Sequence, residues 1–277
     1  MILCALVAAP ARAVDPRPIA RGDADVGVLL LHGLTGTPHE VHPLADALYD
    51  AGYAVRAPLL AGHTDLDALE RSTWRDWYDS AAEAFERLRD GGQRKVVVLG
   101  FSMGSLLTLR LAALRATEIA GIVAISVPLR FPWWQRRAIV AMAKLRGSRV
   151  LRHAVGILPK DGGPDIRVMR EVDGSPSLEG FPYPALAEML ALQAEVADLL
   201  PHVRVPTLLV HGRYDHTAPV ELSAEVSQAI GSARVEREIL PRSFHGVGLD
   251  IDRERACAAV VKFVDSLLLS PPPRKSP

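Results

Sequence analysis

The chain has 277 residues, close to the most that one hydrophobic core organises. Its 49% hydrophobic and 23% charged content is that of a folded globular protein and excludes disorder of the whole chain. Lys+Arg and Asp+Glu total 32 each, so no net basic field exists to hold nucleic acid, and two cysteines, Cys4 and Cys257, are too few for a disulfide framework or a zinc site.

Residues 2–9 are apolar and Ala11-Arg12-Ala13 has the small-residue look of a cleavage site, but the basic n-region of a secretory signal is missing. Residues 1–25 are therefore read as a leader or an edge segment, and the chain as cytoplasmic. No apolar run reaches the roughly 18–20 residues that a membrane-spanning helix needs. Residues 26–31 (VGVLLL) form a short continuous apolar run ending at His32-Gly33, the pattern of a strand buried on both faces. The signal recurs at 95–99, 121–127 and 206–211, and less regularly at 53–57 and 234–240. Helical periodicity lies between these runs. Residues 39–50 place Val41, Leu44, Ala45 and Leu48 on one face; 74–89, 106–114 and 257–268 behave alike. Alternating strands and helices predict a mostly parallel sheet covered on both faces.

The middle of the chain breaks this rhythm. No strand is predicted over 129–200. Residues 133–151 and 183–200 read as helices around a stretch, 158–184, rich in Gly and Pro. Roughly 70 residues are too many for a loop, and they are read as a helical cap inserted into the sheet scaffold. The expected division is a leader or edge at 1–25, core at 26–128, cap at 129–200, core again at 201–269, and a loose Pro-rich tail at 270–277.

Gly100-Phe101-Ser102-Met103-Gly104 follows one predicted strand and opens one predicted helix. This is the G-x-S-x-G elbow, in which a tight turn exposes a serine hydroxyl and leaves no room for side chains two residues to either side. The helix start brings a free N–H, that of Met103, to the same place. A serine needs a base, and the order for this arrangement is Ser, acid, His. His245 lies in the loop between the last strand and the last helix, where open parallel sheets put catalytic groups. Asp215 is the only carboxylate in the preceding strand–helix loop, His211 to Thr217. His211 ends a buried strand and reads as structural; His216 is a rival base but adjoins the acid in sequence. His153 and His202 fall in or near the cap. Asp250 and Asp252 follow His245 and read as acidic residues at a helix start. A second oxyanion donor belongs in the loop after the first core strand, His32 to Pro38, and is assigned to the Leu34 N–H. His32 is expected to brace that loop and not to transfer protons.

With these residues in place, the sequence resembles the α/β-hydrolase superfamily, and more narrowly the bacterial monoacylglycerol lipases and small carboxylesterases. The matching stretches are 28–38 (VLLLHGLTGTP), 52–63 (GYAVRAPLLAGH), 72–77 (STWRDW) and 99–104 (LGFSMG), with the acid and base loops. The resemblance implies an α/β-hydrolase fold with Ser102 as nucleophile, Asp215 as acid, His245 as base, and Leu34 and Met103 as oxyanion donors. It implies no cofactor and no metal, and a small-molecule substrate: uncharged esters with short to medium acyl chains, including monoacylglycerols. The chain departs from the pattern at Gly62-His63-Thr64, where relatives read Gly-His-Gly, and at Gly104-Ser105, where Gly-Gly is common. In the cap, Trp133, Trp134, Met142 and Leu145 are candidates for an acyl pocket, and Glu179 for contact with a polar head group. The alternatives are a thioesterase or acyltransferase using the same triad and, from another class, a non-catalytic binding protein on a hydrolase scaffold.

Overall fold

The computed structural model describes residues 17–148, 156–160, 165–167 and 177–269. Most of the leader, the tail, Cys4 and His153 lie outside the described residues. Nine strands are described. They are β1 (Ile19–Arg21), β2 (Val26–Leu31), β3 (Ala54–Ala57), β4 (Lys95–Phe101), β5 (Ile119–Ile125), β6 (Leu158–Pro159), β7 (Gly180–Phe181), β8 (Thr207–Gly212) and β9 (Val235–Leu240). The helices are α1 (His42–Asp50), α2 (Leu66–Arg71), α3 (Trp74–Asp90), α4 (Met103–Leu114), α5 (Trp133–Gly147), α6 (Tyr183–Leu199), α7 (Glu221–Ala229) and α8 (Arg253–Leu269).

Seven strands form one sheet in the order β1-β3-β2-β4-β5-β8-β9, parallel except for β1 against β3. Alternation within each strand divides the core in two. Leu29 and Leu31 of β2 and Val96 and Val98 of β4 face Trp77, Phe85 and Leu106, under α3 and α4. Val28, Leu30, Val97 and Leu99 face Leu44, Leu48 and Phe263, under α1 and α8. A Thr73–Asp76 capping box starts α3 where the sequence turns from polar to periodic. The chain leaves β2 for β3 on one side and returns as β4 on the other. The reversal of strand order lies between β2 and β4, and the C-terminal ends of such neighbours frame a crevice.

The structure corrects several expected boundaries. Strand β4 runs to Phe101, and α4 begins at Met103 instead of 106, because Ser105 N–H and Oγ both bond the Ser102 carbonyl and complete a first turn that Gly and Ser would otherwise leave weak. The stretch predicted as one helix from 39 splits into a 3-10 turn, Pro38–Val41, and α1, with a proline near the start of each. Within 129–200, β6 and β7 pair antiparallel, although no strand is predicted there. Both are two residues long, too short for any periodic signal. Helix α6 packs on α4 and α5 and buries Ala185, Leu186, Met189 and Leu192.

Candidate active site

Ser102 sits between β4 and α4 with φ 51° and ψ −119°, a region that non-glycine residues rarely occupy. The turn is enforced from both sides. A Cβ on Gly100 would overlap the Gly104 carbonyl, and one on Gly104 would overlap the Leu31 and His32 carbonyls of the neighbouring strand end. The two motif glycines thus face backbone, which cannot move aside.

His245 Nε2 lies 3.0 Å from Ser102 Oγ, and His245 Nδ1 lies 2.8 Å from Asp215 Oδ2. A carboxylate only accepts, so Nδ1 carries a proton and Nε2 is left to accept from the serine hydroxyl. The Asp215 carboxylate is held on both oxygens. Oδ1 accepts the Thr217 and Ala218 N–H groups at 2.9 and 2.7 Å, and His211 Nε2 reaches Oδ2 at 3.2 Å. His211 also donates to the Ala218 carbonyl at 2.8 Å, so this buried histidine braces the acid loop. Burial alone would raise the Asp215 pKa; His245, with the donated hydrogen bonds, outweighs it and holds the carboxyl well below its usual range. Burial likewise disfavours the His245 imidazolium, but the adjacent Asp215 carboxylate, with help from Asp165 and Glu40, raises its pKa.

The loop after β2 lies over the serine. A Cβ on Gly33 would stand 3.3 Å from Ser102 Cβ. Gly36 N–H bonds the Gly33 carbonyl at 3.2 Å, and Thr35 takes φ 66°, closing a turn that has Leu34 at its corner. Among the described residues, neither the Leu34 nor the Met103 N–H has an acceptor. His32 Nε2 accepts the Leu60 N–H at 3.0 Å, and its Nδ1 donates to the Gly33 carbonyl at 2.9 Å. Burial, then the nearby His63, pushes His32 well below the histidine range, so this ring is a neutral brace.

Several residues with no motif around them complete the site. Glu40 Oε2 accepts the Gly33 N–H at 2.9 Å; burial raises the Glu40 pKa, against the Lys160 charge that lowers it. Lys160 stands over the Phe181 ring at 5.2 Å and is pushed down to about 8 by burial. Ser126, at the end of β5 with φ 50°, donates from Oγ to the His245 carbonyl at 2.8 Å. Asp250 and Asp252, read from sequence as helix-start residues, brace the base loop. Asp250 accepts the Phe244 N–H at 2.7 Å, and Asp252 accepts the Arg242 N–H and Ser243 Oγ at 2.8 and 3.1 Å.

The other expected site residues are not joined to Ser102, His245 or Asp215 by any hydrogen bond among the described residues. Trp133 and Trp134 lie on α5, 72% and 57% exposed, Leu145 is exposed, Met142 half-buried, and Glu179 exposed before β7. His216 pairs with Asp165, not with Ser102. No group of three or more His, Cys, Asp or Glu suited to a metal occurs among the described residues.

The family described as "Serine aminopeptidase, S33" matches residues 22–252. A thermostable monoacylglycerol lipase of Bacillus sp. (strain H-257) is 33% identical over 237 residues, 85% of this chain and 89% of that protein. A carboxylesterase of Bacillus subtilis (strain 168) is 24% identical over 257 residues, 92% of this chain and 99% of that protein. Among solved structures, one reported under LipS and LipT, two metagenome-derived lipolytic enzymes, superposes with a TM-score of 0.80 at 28% identity, covering 92% of this chain and 100% of that one.

Proposed function

The chain belongs to the α/β-hydrolase family described as serine aminopeptidase S33 and is an enzyme of the ester-cleaving kind found among its relatives; from that premise we propose that it hydrolyses uncharged carboxylic esters through Ser102, His245 and Asp215. The observation that carries this reading is the unbroken line from Asp215 Oδ2 through His245 to Ser102 Oγ, with contacts of 2.8 and 3.0 Å. His245 takes the Ser102 proton as Oγ attacks the ester carbonyl. The Leu34 and Met103 N–H groups receive the oxyanion. The imidazolium, stabilised by Asp215, then protonates the leaving alcohol, and water activated by His245 releases the acid from the acyl-enzyme.

The described residues of 129–200 are read as a cap over this site. Trp133, Trp134, Met142 and Leu145 bound the acyl-chain side, and Glu179 meets a polar alcohol group. Short- to medium-chain esters, monoacylglycerols among them, are the substrate class. A zero net charge suits such substrates, which need no electrostatic steering.

Replacing the nucleophile tests the reading. Ser102→Ala should unfold at the wild-type temperature and lose about a thousandfold or more in kcat on p-nitrophenyl butyrate. Undiminished hydrolysis by that variant overturns the assignment.

A further inference from the structure

Asp165 lies in a short described stretch, 165–167, between β6 and β7, and no sequence motif includes it. Its carboxylate collects four donors. Oδ1 accepts His216 Nδ1 at 2.9 Å, while Oδ2 accepts the His216 N–H at 2.9 Å, the Thr217 N–H at 3.2 Å and Thr217 Oγ1 at 3.1 Å. Its backbone carbonyl accepts the Gly246 N–H at 3.0 Å. One residue therefore grips the two positions that follow Asp215 and the position that follows His245.

The next two residues extend the grip. Ile166 is buried against Gly246, where any Cβ would strike its side chain. The Arg167 N–H donates to Asp250 Oδ1 at 2.9 Å, and the other oxygen of Asp250 holds the Phe244 N–H. The acid and base loops arise from different strands, β8 and β9, and Asp215 and His245 are 30 positions apart. Backbone bonds from the Arg213 and Tyr214 N–H groups to the Leu240 and Ser243 carbonyls join the roots of the two loops, but not Asp215 and His245 themselves, where hydrogen-bond geometry tolerates only tenths of an ångström.

We propose that Asp165 is a positioning residue for catalysis, which clamps the Asp215 and His245 loops together and sets the spacing between acid and base. The inference rests on the triad reading above. The clamp is polar and many-stranded: four side-chain acceptances and one backbone bond act on two loops at once. Its charge also faces His245. The other charged groups acting on that ring are Asp215 and Glu40, and all three favour the imidazolium.

Asp165→Asn, Asp165→Ala and Asp165→Glu test this with p-nitrophenyl butyrate as the probe, alongside thermal unfolding. Asp165→Ala should lower kcat by about 10- to 100-fold with KM changed less than about threefold. Asp165→Asn should also move the acidic limb of the kcat/KM profile to lower pH, and Asp165→Glu should recover much of the rate. Wild-type kcat and pH profile in the Ala and Asn variants overturn the proposal. So does a loss that tracks lowered unfolding temperature with the acidic limb unmoved, since that marks a structural role alone. Labelling of wild type and of Ser102→Ala by a fluorophosphonate separates the two levels. Ser102-dependent labelling beside unaffected Asp165 variants removes the clamp but keeps the triad; absence of labelling removes both.

Discussion

Glu40 Oε2 accepts the Gly33 N–H at 2.9 Å, so a half-buried carboxylate ties the start of the loop after β2, the proposed oxyanion loop, to the 3-10 turn that follows it. The same carboxylate fills the space where a Cβ on Gly36 would go. Gly33 and Gly36 are thus fitted to Glu40, and Leu34 is held between them. Glu40→Ala should lower kcat by about 5- to 100-fold, the equivalent of the ~1–3 kcal/mol that a lost buried hydrogen bond costs. Gly36→Ala would displace the Glu40 carboxylate and so make the same lesion. The double variant should be no worse than either single one, and steady-state kinetics of the cycle checks it; fully additive losses would refute the shared mechanism.

What the sequence made legible was local. The apolar runs of β2, β4, β5 and β8, the helical faces of α1 and α3, and the glycine–serine elbow each carry their signal within about ten residues. The order Ser102, Asp215, His245 could be proposed because each residue lies within five positions of the C-terminal end of a strand. The supports could not. Ser126 reaches His245 across 119 positions, and Asp165 reaches His216 across 51. No periodicity encodes such contacts, and an isolated Ser or Asp reads as loop polarity. Asp250 and Asp252 are the instructive case. Their place before α8 suggested a helix-start role, yet their carboxylates face back onto the base loop.

In the proposed mechanism His245 must be neutral to take the Ser102 proton. Burial works against the imidazolium, but Asp215, Asp165 and Glu40 together hold the proton to higher pH than an ordinary histidine. Activity should therefore fall on acidification while still above the usual histidine pKa of about 6.5. The kcat/KM profile between pH 5 and 9 measures this. Glu40→Gln removes one of the three charges and should shift the acidic limb downward. An acidic limb at or below pH ~6 in wild type would contradict the assigned electrostatics.

Helix α5 turns Trp133 and Trp134 to solvent, 72% and 57% exposed, while Ile139 on the opposite face is buried. Two exposed indoles side by side form an apolar patch that an apolar ligand could cover. If they receive the acyl chain, each methylene buried there contributes about 0.8 kcal/mol. Replacing both by alanine should then reduce kcat/KM for p-nitrophenyl octanoate about fivefold or more relative to the acetate ester. An unchanged octanoate-to-acetate ratio would remove both residues from the pocket.

His32 and His63 set the acid stability of the fold. Their rings meet edge-on at 4.8 Å, and His63 meets Trp77 at 6.0 Å. His32 Nε2 accepts the Leu60 N–H and has no place for a second proton. Burial lowers the His63 pKa to about 4. Both rings are neutral when folded and titrate at ordinary values when unfolded, so between pH ~6.5 and the folded pKa the unfolded chain binds more protons. The stabilisation from each ring is complete above pH ~6.5 and drains away on acidification, by about 3 kcal/mol for a shift the size of that of His63. His245, with its raised pKa, acts in the other direction but only above pH ~6.5; Glu40, whose pKa burial also raises, offsets part of the loss below that, one carboxyl against two rings. Urea midpoints measured from pH 7 to pH 4.5 should therefore fall steadily. His63→Gln, which is neutral at every pH, should flatten the slope even where it lowers stability at pH 7. A slope equal to that of wild type would mean that His63 is already protonated in the folded protein.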